Sequence, residues 1–130
     1  MKKIIALLLL VFTVIGLCGC EKYSESCSLE FTIPKGSNNI VYAEPLLALN
    51  KGDIKIHAEY ETGGVELLAI WFANTYLEQS GIGNPYTNQV IMPGEDAEMS
   101  FDGDGLYRVG VQLDFPAERD VEVKITIYYN

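Results

Sequence analysis

Hydrophobic and polar residues alternate with a period of two along much of the chain, and this pattern predicts β-strands with one buried and one exposed face. The alternation is clearest at residues 29–33, 54–61, 107–114 and 121–129. In the last segment Ile125 and Ile127 share one face, whereas Glu122 and Lys124 occupy the other. We therefore expect a core built from one face of each strand and a charged face in solvent.

Five further segments complete the predicted set of strands. Residues 65–73 are apolar on both faces from Leu67 onward, which is typical of a strand whose outer face meets a loop or a partner. Weaker strands are predicted at residues 40–42, 46–49, 90–92 and 97–101. Gly63-Gly64 predicts a hairpin between the strands around it, because glycine tolerates the positive φ of tight turns. Helical periodicity is weak throughout, and residues 75–79 are expected to form one turn at most.

Eight or nine short strands at this spacing predict an all-β fold, an antiparallel β-sandwich of the jelly-roll type. The chain has 130 residues, 48% of them hydrophobic, which is enough for one domain with a core. Its net charge of −9 argues against binding nucleic acid, because phosphates are held by clustered Lys and Arg. The C-terminal residues 105–130 loosely resemble the last hairpin of secreted bacterial jelly-roll modules.

The N-terminus has the features of an export signal. Lys2 and Lys3 are followed by fourteen residues, 4–17, in which Thr13 is the one polar side chain. Crossing a bilayer takes roughly 20 apolar residues, so this run is too short for a transmembrane helix. It has the dimensions of the apolar region of a signal peptide, and the sequence therefore predicts an exported protein.

The end of this apolar run, Leu17-Cys18-Gly19-Cys20, resembles the lipobox of bacterial lipoproteins. The resemblance implies cleavage after Gly19 and a lipid on Cys20. It also implies that the protein is held on the membrane through that lipid, in the cell envelope and on the extracytoplasmic side. The alternative is a plain secretory signal followed by an unrelated cysteine.

These features divide the chain into a signal peptide at residues 1–19, a polar tether at 20–28 and a β-sandwich domain at 29–130. Cleavage removes two lysines and leaves a net charge of −11. Anionic lipid headgroups repel such a surface, so we expect the domain to stand off the membrane. Cys27 is expected to be a small, half-buried residue at the start of the first strand.

Few residues point to catalysis or to a metal. His57 is the single histidine and falls on the charged face of its strand. A zinc site requires several Cys or His ligands at short spacing, so we expect His57 to be a surface residue. Carboxylates are numerous, and a small carboxylate-based hydrolase is therefore an alternative function, although two acids must converge for this chemistry.

The acidic segment 95–104 (EDAEMSFDGD) is the best candidate for a metal site, and calcium is the one cofactor that the sequence suggests. Calcium binds six to eight hard oxygen ligands. Two acidic turns could supply them from Glu95, Asp96, Asp102 and Asp104. The EF-hand spacing is absent, so two solvated turns are the alternative interpretation.

Residues 74–89 form the longest polar connection, and loops of this length in compact domains are usually functional or disordered. The segment and the strand before it contain aromatic and amide side chains that suit a sugar ring or a peptide: Trp71, Tyr76, Asn84, Tyr86 and Asn88. We expect a non-catalytic binding or scaffold module of the cell envelope, whose partner is an envelope protein or a glycan. A carbohydrate- or calcium-binding jelly-roll module is the alternative.

Overall fold

The computed structural model describes residues 22–62 and 66–130. The predicted signal peptide, the lipidation site Cys20 and the Gly63-Gly64 pair lie outside these residues. The described chain contains a short helix, α1 (Thr75–Ser80), and nine strands: β1 (Glu25–Ile33), β2 (Val41–Tyr42), β3 (Leu47–Leu49), β4 (Gly52–Tyr60), β5 (Leu68–Asn74), β6 (Tyr86–Ile91), β7 (Asp96–Phe101), β8 (Gly105–Leu113) and β9 (Val121–Tyr129). Within these ranges, no helix has the length and apolar character needed to cross a membrane.

The strands form two antiparallel sheets packed face to face. A four-stranded sheet has the order β1-β9-β4-β7, and a five-stranded sheet has the order β2-β8-β5-β6 with β3 also on β8. Because β2 and β3 pair with successive parts of β8, they occupy one position as an interrupted strand. This order is that of a jelly roll, so the predicted fold class is confirmed.

The hairpin predicted at Gly63-Gly64 is wrong, because β4 and β5 lie in opposite sheets and do not pair. The same is true of β8 and β9, so the C-terminal segment is not a hairpin either. In a jelly roll, strands that are consecutive in sequence often belong to different sheets, and each pairs with a strand from a distant part of the chain. A turn signal marks where the chain reverses, but not which sheet it enters.

The core lies between the two sheets and is formed by the inward positions of the alternating segments. Ile125 and Ile127 are fully buried, as predicted, whereas Glu122 and Lys124 are exposed. Phe101 lies between two other aromatic rings, with centroids 5.3 Å from Phe72 and 4.8 Å from Tyr107. Within the described residues, the buried side chains are all hydrophobic.

The first strand begins earlier than the sequence predicts. β1 starts at Glu25 and pairs with β9 along its whole length, so residues 25–28 belong to the sheet and not to the tether. Cys27 lies opposite Ile127 and packs half-buried against the core, as expected for a small residue at this point. Its burial raises the pKa of the thiol.

Candidate functional site

The structure does not contain the long loop predicted at residues 74–89. The Asn74 carboxamide oxygen accepts a hydrogen bond from the Leu77 N–H at 3.1 Å and caps α1, and Gly81 ends the helix in the left-handed conformation. After a turn at residues 81–85 the chain enters β6 at Tyr86. An Asn before the helix and a Gly after it are the usual cap residues, and this signal was available in the sequence.

The pairing of β6 with β5 places Trp71 and Asn88 side by side on the outer face of the five-stranded sheet. Trp71 lies opposite Asn88 of β6 on one side and opposite Gly110 of β8 on the other. Gly110 in turn lies opposite Tyr42 of β2. These four residues form one row across the sheet, which we call the aromatic row.

Gly110 is required for the close packing of this row. A Cβ at this position would lie 2.7 Å from Ile40 Cγ2 and 2.8 Å from Tyr42 Cδ1, closer than real Cβ atoms approach other atoms. The Tyr42 ring therefore rests directly on the backbone of β8. It is half-buried in this position, and its burial raises the pKa of the phenol.

Arg108 connects the aromatic row to helix α1. Its guanidinium lies over the Tyr42 ring, with Cζ 4.0 Å from the centroid. It also donates two hydrogen bonds to the Glu78 carboxylate, from Nε at 3.0 Å and from Nη2 at 2.6 Å. The Tyr86 hydroxyl donates a further bond to Glu78 at 3.3 Å. Arg108 holds the pKa of Glu78 below its usual value, so this part of the face is charged and fixed.

The indole of Trp71 is half-buried, and its polar edge is oriented by a neighbour. Nε1 donates to the Gln112 Oε1 at 3.0 Å, and the Gln112 Nε2 donates to the Asn38 carbonyl at 2.8 Å. Next to this pair lies a groove of about 310 Å³, lined by Asn38, Leu67, Ala69, Val90, Gln112, Leu113 and Asp114. This volume is at the lower end of the range for small-ligand pockets.

The predicted binding residues therefore have different positions. Trp71, Tyr86 and Asn88 belong to the outer face of the five-stranded sheet, and Tyr76 is 73% exposed on α1. Asn84 lies in the turn before β6, where its Oδ1 accepts a hydrogen bond from the Tyr86 N–H at 3.0 Å. Sequence reasoning missed three residues of this face, although each is an outward position of its strand: Tyr42, Arg108 and Gln112.

The four acidic residues proposed for calcium do not form one site. Glu95 and Asp96 are at the start of β7, whereas Asp102 and Asp104 follow its end. The six residues of the strand separate the two pairs by about 20 Å. Asp104 accepts a hydrogen bond from the Lys51 N–H. Over the described ranges, no group of three or more His, Cys, Asp and Glu could hold a metal ion.

His57 lies on the outer face of the four-stranded sheet, between two carboxylates. Nε2 is 2.6 Å from the Glu59 Oε1, and Nδ1 is 2.6 Å from the Asp96 Oδ1. These two bonds, the one to Glu59 first, raise the pKa of the imidazole because they favour its charged form, which donates from both nitrogens. The Asp96 carboxylate is thus engaged by a side chain of the same sheet.

A second depression, of about 740 Å³, is bordered by the carboxylates of Glu59, Glu61, Asp120 and Glu122 and by Arg119. Three of these four carboxylates already accept hydrogen bonds from the protein. Glu59 bonds His57, Asp120 bonds the Lys35 N–H at 2.8 Å, and Glu122 bonds the Thr32 hydroxyl at 3.0 Å. These bonds hold neighbouring strands and turns together.

Comparison with known proteins shows similarity in fold only. No family model and no curated protein sequence matches the chain. The fold is similar to the crystal structure of a mitogen derived from Yersinia pseudotuberculosis, with a TM-score of 0.52 and 10% identity over 82% of this chain and 86% of that chain. It is also similar to a periplasmic inhibitor of g-type lysozyme from Aeromonas hydrophila, with a TM-score of 0.50 and 11% identity over 83% and 89% of the two chains.

Proposed function

We propose that this protein is a lipid-anchored lipoprotein of the bacterial cell envelope whose jelly-roll domain binds a glycan and has no catalytic activity. The lipobox-like Leu17-Cys18-Gly19-Cys20 segment supports the anchor. One structural neighbour is named as a periplasmic protein, in keeping with a location outside the cytoplasm. The binding surface is the outer face of the five-stranded sheet.

The observation that carries the binding proposal is the partly exposed Trp71, whose partner Gln112 lines the groove. Its indole forms a flat apolar surface, while Gln112 fixes the polar edge of the ring and Asn88 lies next to it with an exposed amide. Sugars combine apolar ring faces with hydroxyl groups that hydrogen-bond, and an aromatic ring beside carboxamides matches both. A pocket of mainly apolar lining with a few fixed polar groups is the usual form of a ligand site.

The non-catalytic part of the proposal is supported by the state of the carboxylates. A glycosidase needs one carboxyl group to donate a proton and a second to act as nucleophile or base. In the depression beside Arg119, three of the four acids are engaged in structural hydrogen bonds. A binding role therefore accounts for the described residues better than hydrolysis does.

The anchor is tested by Cys20→Ser. We expect this change to block cleavage after Gly19 and to move the protein out of the detergent phase in phase partitioning, because two or more acyl chains are needed for stable membrane attachment. Cys18→Ser is the matched control and should leave both processing and partitioning unchanged. If the Cys20→Ser protein is still cleaved and still enters the detergent phase, the lipoprotein proposal is wrong.

The binding surface is tested with Trp71→Ala on an array of bacterial envelope glycans. We expect at least a tenfold loss of affinity, which corresponds to about 1.4 kcal/mol. Tyr128→Ala is the control, because Tyr128 is a half-buried aromatic residue on the outer face of the other sheet, close to Lys55. A second variant, Tyr76→Ala with Tyr86→Ala, tests the side chains around α1. Equal binding by the Trp71 and Tyr128 variants, or capture of an envelope protein with no glycan bound, would contradict the proposal.

A further inference from the structure

Strand β6 is an open sheet edge that lacks the usual protection against pairing. Edge strands normally carry charges or proline that prevent a second strand from adding. The edges of the four-stranded sheet carry such charges, with Glu25 and Glu30 on β1 and Asp96 and Glu98 on β7, and the other edge of the five-stranded sheet is interrupted into two short strands, β2 and β3. In contrast, β6 has the sequence YTNQVI over Tyr86–Ile91, with no charged residue and no proline.

Which residues of β6 form hydrogen-bonded pairs with β5 determines which backbone groups face the open side. The Asn74 N–H bonds the Pro85 carbonyl at 2.8 Å, so these residues form a hydrogen-bonded pair of the β5–β6 ladder. Such pairs alternate along an antiparallel ladder. Thr87 and Gln89 therefore direct their N–H and C=O groups towards β5, and those of Asn88 face the open edge.

Side chains of β6 and its preceding turn occupy two of the groups on the open edge. The Asn84 Oδ1 accepts from the Tyr86 N–H at 3.0 Å, and the Gln89 Nε2 donates to the Val90 carbonyl at 3.4 Å. Among residues 22–62 and 66–130, four backbone groups on this edge have no hydrogen-bond partner: the Tyr86 carbonyl, both groups of Asn88 and the Val90 N–H.

We propose that these groups pair with the same strand of a second copy of this chain, so that two five-stranded sheets join through their β6 edges. The four groups are self-complementary about a twofold axis at Asn88. Each Asn88 N–H bonds the Asn88 carbonyl of the other copy, and each Val90 N–H bonds the Tyr86 carbonyl of the other copy. A regular ladder would also pair the Tyr86 N–H of each copy with the Val90 carbonyl of the other. These two groups already have partners, because Asn84 bonds the first and Gln89 bonds the second. Self-complementarity of this kind is the mark of a twofold interface.

The side chains and the charge of the molecule favour the same contact. Tyr86 and Val90 are 45% and 50% exposed and would lie opposite one another across the axis. Two copies that each carry a net charge of −9, or of −11 after the proposed cleavage, repel one another over most of their surface, because like charges destabilise association. The uncharged β6 edge is a place where they can approach without bringing charged side chains of that strand together.

In the proposed dimer the aromatic rows of the two copies lie next to one another. An axis perpendicular to the sheet keeps both outer faces on one side and both β1 strands, which follow the proposed tethers, on the other. Trp71 of one copy and Trp71 of the other are then separated by three strand spacings, or about 14 Å. If the proposed function holds, the dimer presents two ring-binding positions to one chain of sugars, and its avidity exceeds that of a single domain.

The first test measures the mass of the full-length chain in detergent by light scattering, without any ligand. We expect a dimer for the wild type and for Asn88→Thr, which keeps the backbone N–H, and a monomer for Asn88→Pro. Proline is tolerated where the N–H of an edge strand faces solvent, so the variant should fold, as checked by its Trp71 fluorescence. The Trp71→Ala chain should remain a dimer, which separates a failure of pairing from a failure of glycan binding.

The second test uses disulfide trapping in membranes, in a Cys27→Ser background, and does not depend on the proline variant. The Cα atoms of a hydrogen-bonded antiparallel pair lie about 5.5 Å apart, within the range that a disulfide can join. Asn88→Cys should therefore give a covalent dimer on oxidation. Val90→Cys is the matched control and should not, since the two copies of position 90 are offset by four residues, or about 14 Å. A wild-type monomer, a dimeric Asn88→Pro chain or equal trapping at positions 88 and 90 overturns the proposal.

Discussion

Gly110→Ala tests whether the aromatic row depends on the absence of a side chain from β8. The added Cβ would lie 2.7 Å from Ile40 Cγ2 and 2.8 Å from Tyr42 Cδ1, so both side chains must move. We expect the Tyr42 ring to leave the sheet and to lose its contact with the Arg108 guanidinium. The proposed glycan binding should weaken as well, because the row is then no longer flat.

The size of the effect follows from three contributions. Overpacking costs about 1–3 kcal/mol, and the loss of a partly exposed cation–π contact costs about 0.5–1 kcal/mol. Alanine loses less backbone entropy than glycine on folding, which returns about 0.5–1 kcal/mol. Ile40 and Tyr42 are only half-buried and can move outward, so the lower part of the range applies. The net expectation is a loss of about 1–2 kcal/mol in the free energy of unfolding.

Urea unfolding followed by tryptophan fluorescence is the appropriate assay, since Trp71 is the single tryptophan and lies in the same row. A loss of this size should lower the urea midpoint by roughly 1 M for a domain of this length. Gly103→Ala is the matched control, because a Cβ at that position meets nothing within 4 Å. The packing argument is wrong if the two variants have the same urea midpoint. It is also wrong if the Tyr42 ring keeps its position on β8 in the Gly110→Ala variant.

Two further predictions concern the four-stranded sheet. Truncating the fully buried Ile125 to Ala should lower the free energy of unfolding in urea by about 2–5 kcal/mol. Lys124→Ala, one residue earlier on the exposed face, should lower it little. Similar losses at the two positions would mean that the strand register is wrong. His57 should make stability depend on pH, because its folded-state pKa is raised above the ordinary 6.5, chiefly by the bond to Glu59 and then by that to Asp96. The contribution of His57 to the free energy of unfolding is complete below pH 6.5 and is lost as the pH rises through the raised pKa. The stability difference between the wild type and His57→Gln should therefore shrink with rising pH. A difference that grows with pH would refute the predicted direction.

Local signals indicate where α1 begins and ends, but they do not show that so short a helix is stable. The weak periodicity predicted a loop at residues 74–89 with one helical turn at most at 75–79, but Asn74 and Gly81 cap a helix of six residues there. The helix is held mainly by a partner that is distant in sequence, through the Glu78 bonds to Arg108 of β8. A helix this short is not stable by itself, so its formation depends on tertiary contacts.

The sequence by itself determined the all-β class, most of the strands and the division of each of these strands into a buried and an exposed face, as Ile125 and Lys124 illustrate. These properties are local, because successive side chains of a strand point to opposite sides. It also contained Trp71 in a segment that is apolar on both faces, and so a hint of an unusual outer surface.

Only the tertiary structure decided which strands are neighbours, and with them the candidate site. Tyr42 and Gly110 are adjacent on the sheet although they are far apart in the chain, and β4 and β5 are close in sequence yet lie in opposite sheets. The alternation of hydrophobic and polar residues predicts that a side chain faces outward, but it does not predict which other outward side chain lies beside it. Neighbours are chosen by the free energy of closing the whole sandwich, in which every strand must bury its inner face and pair its backbone at the same time.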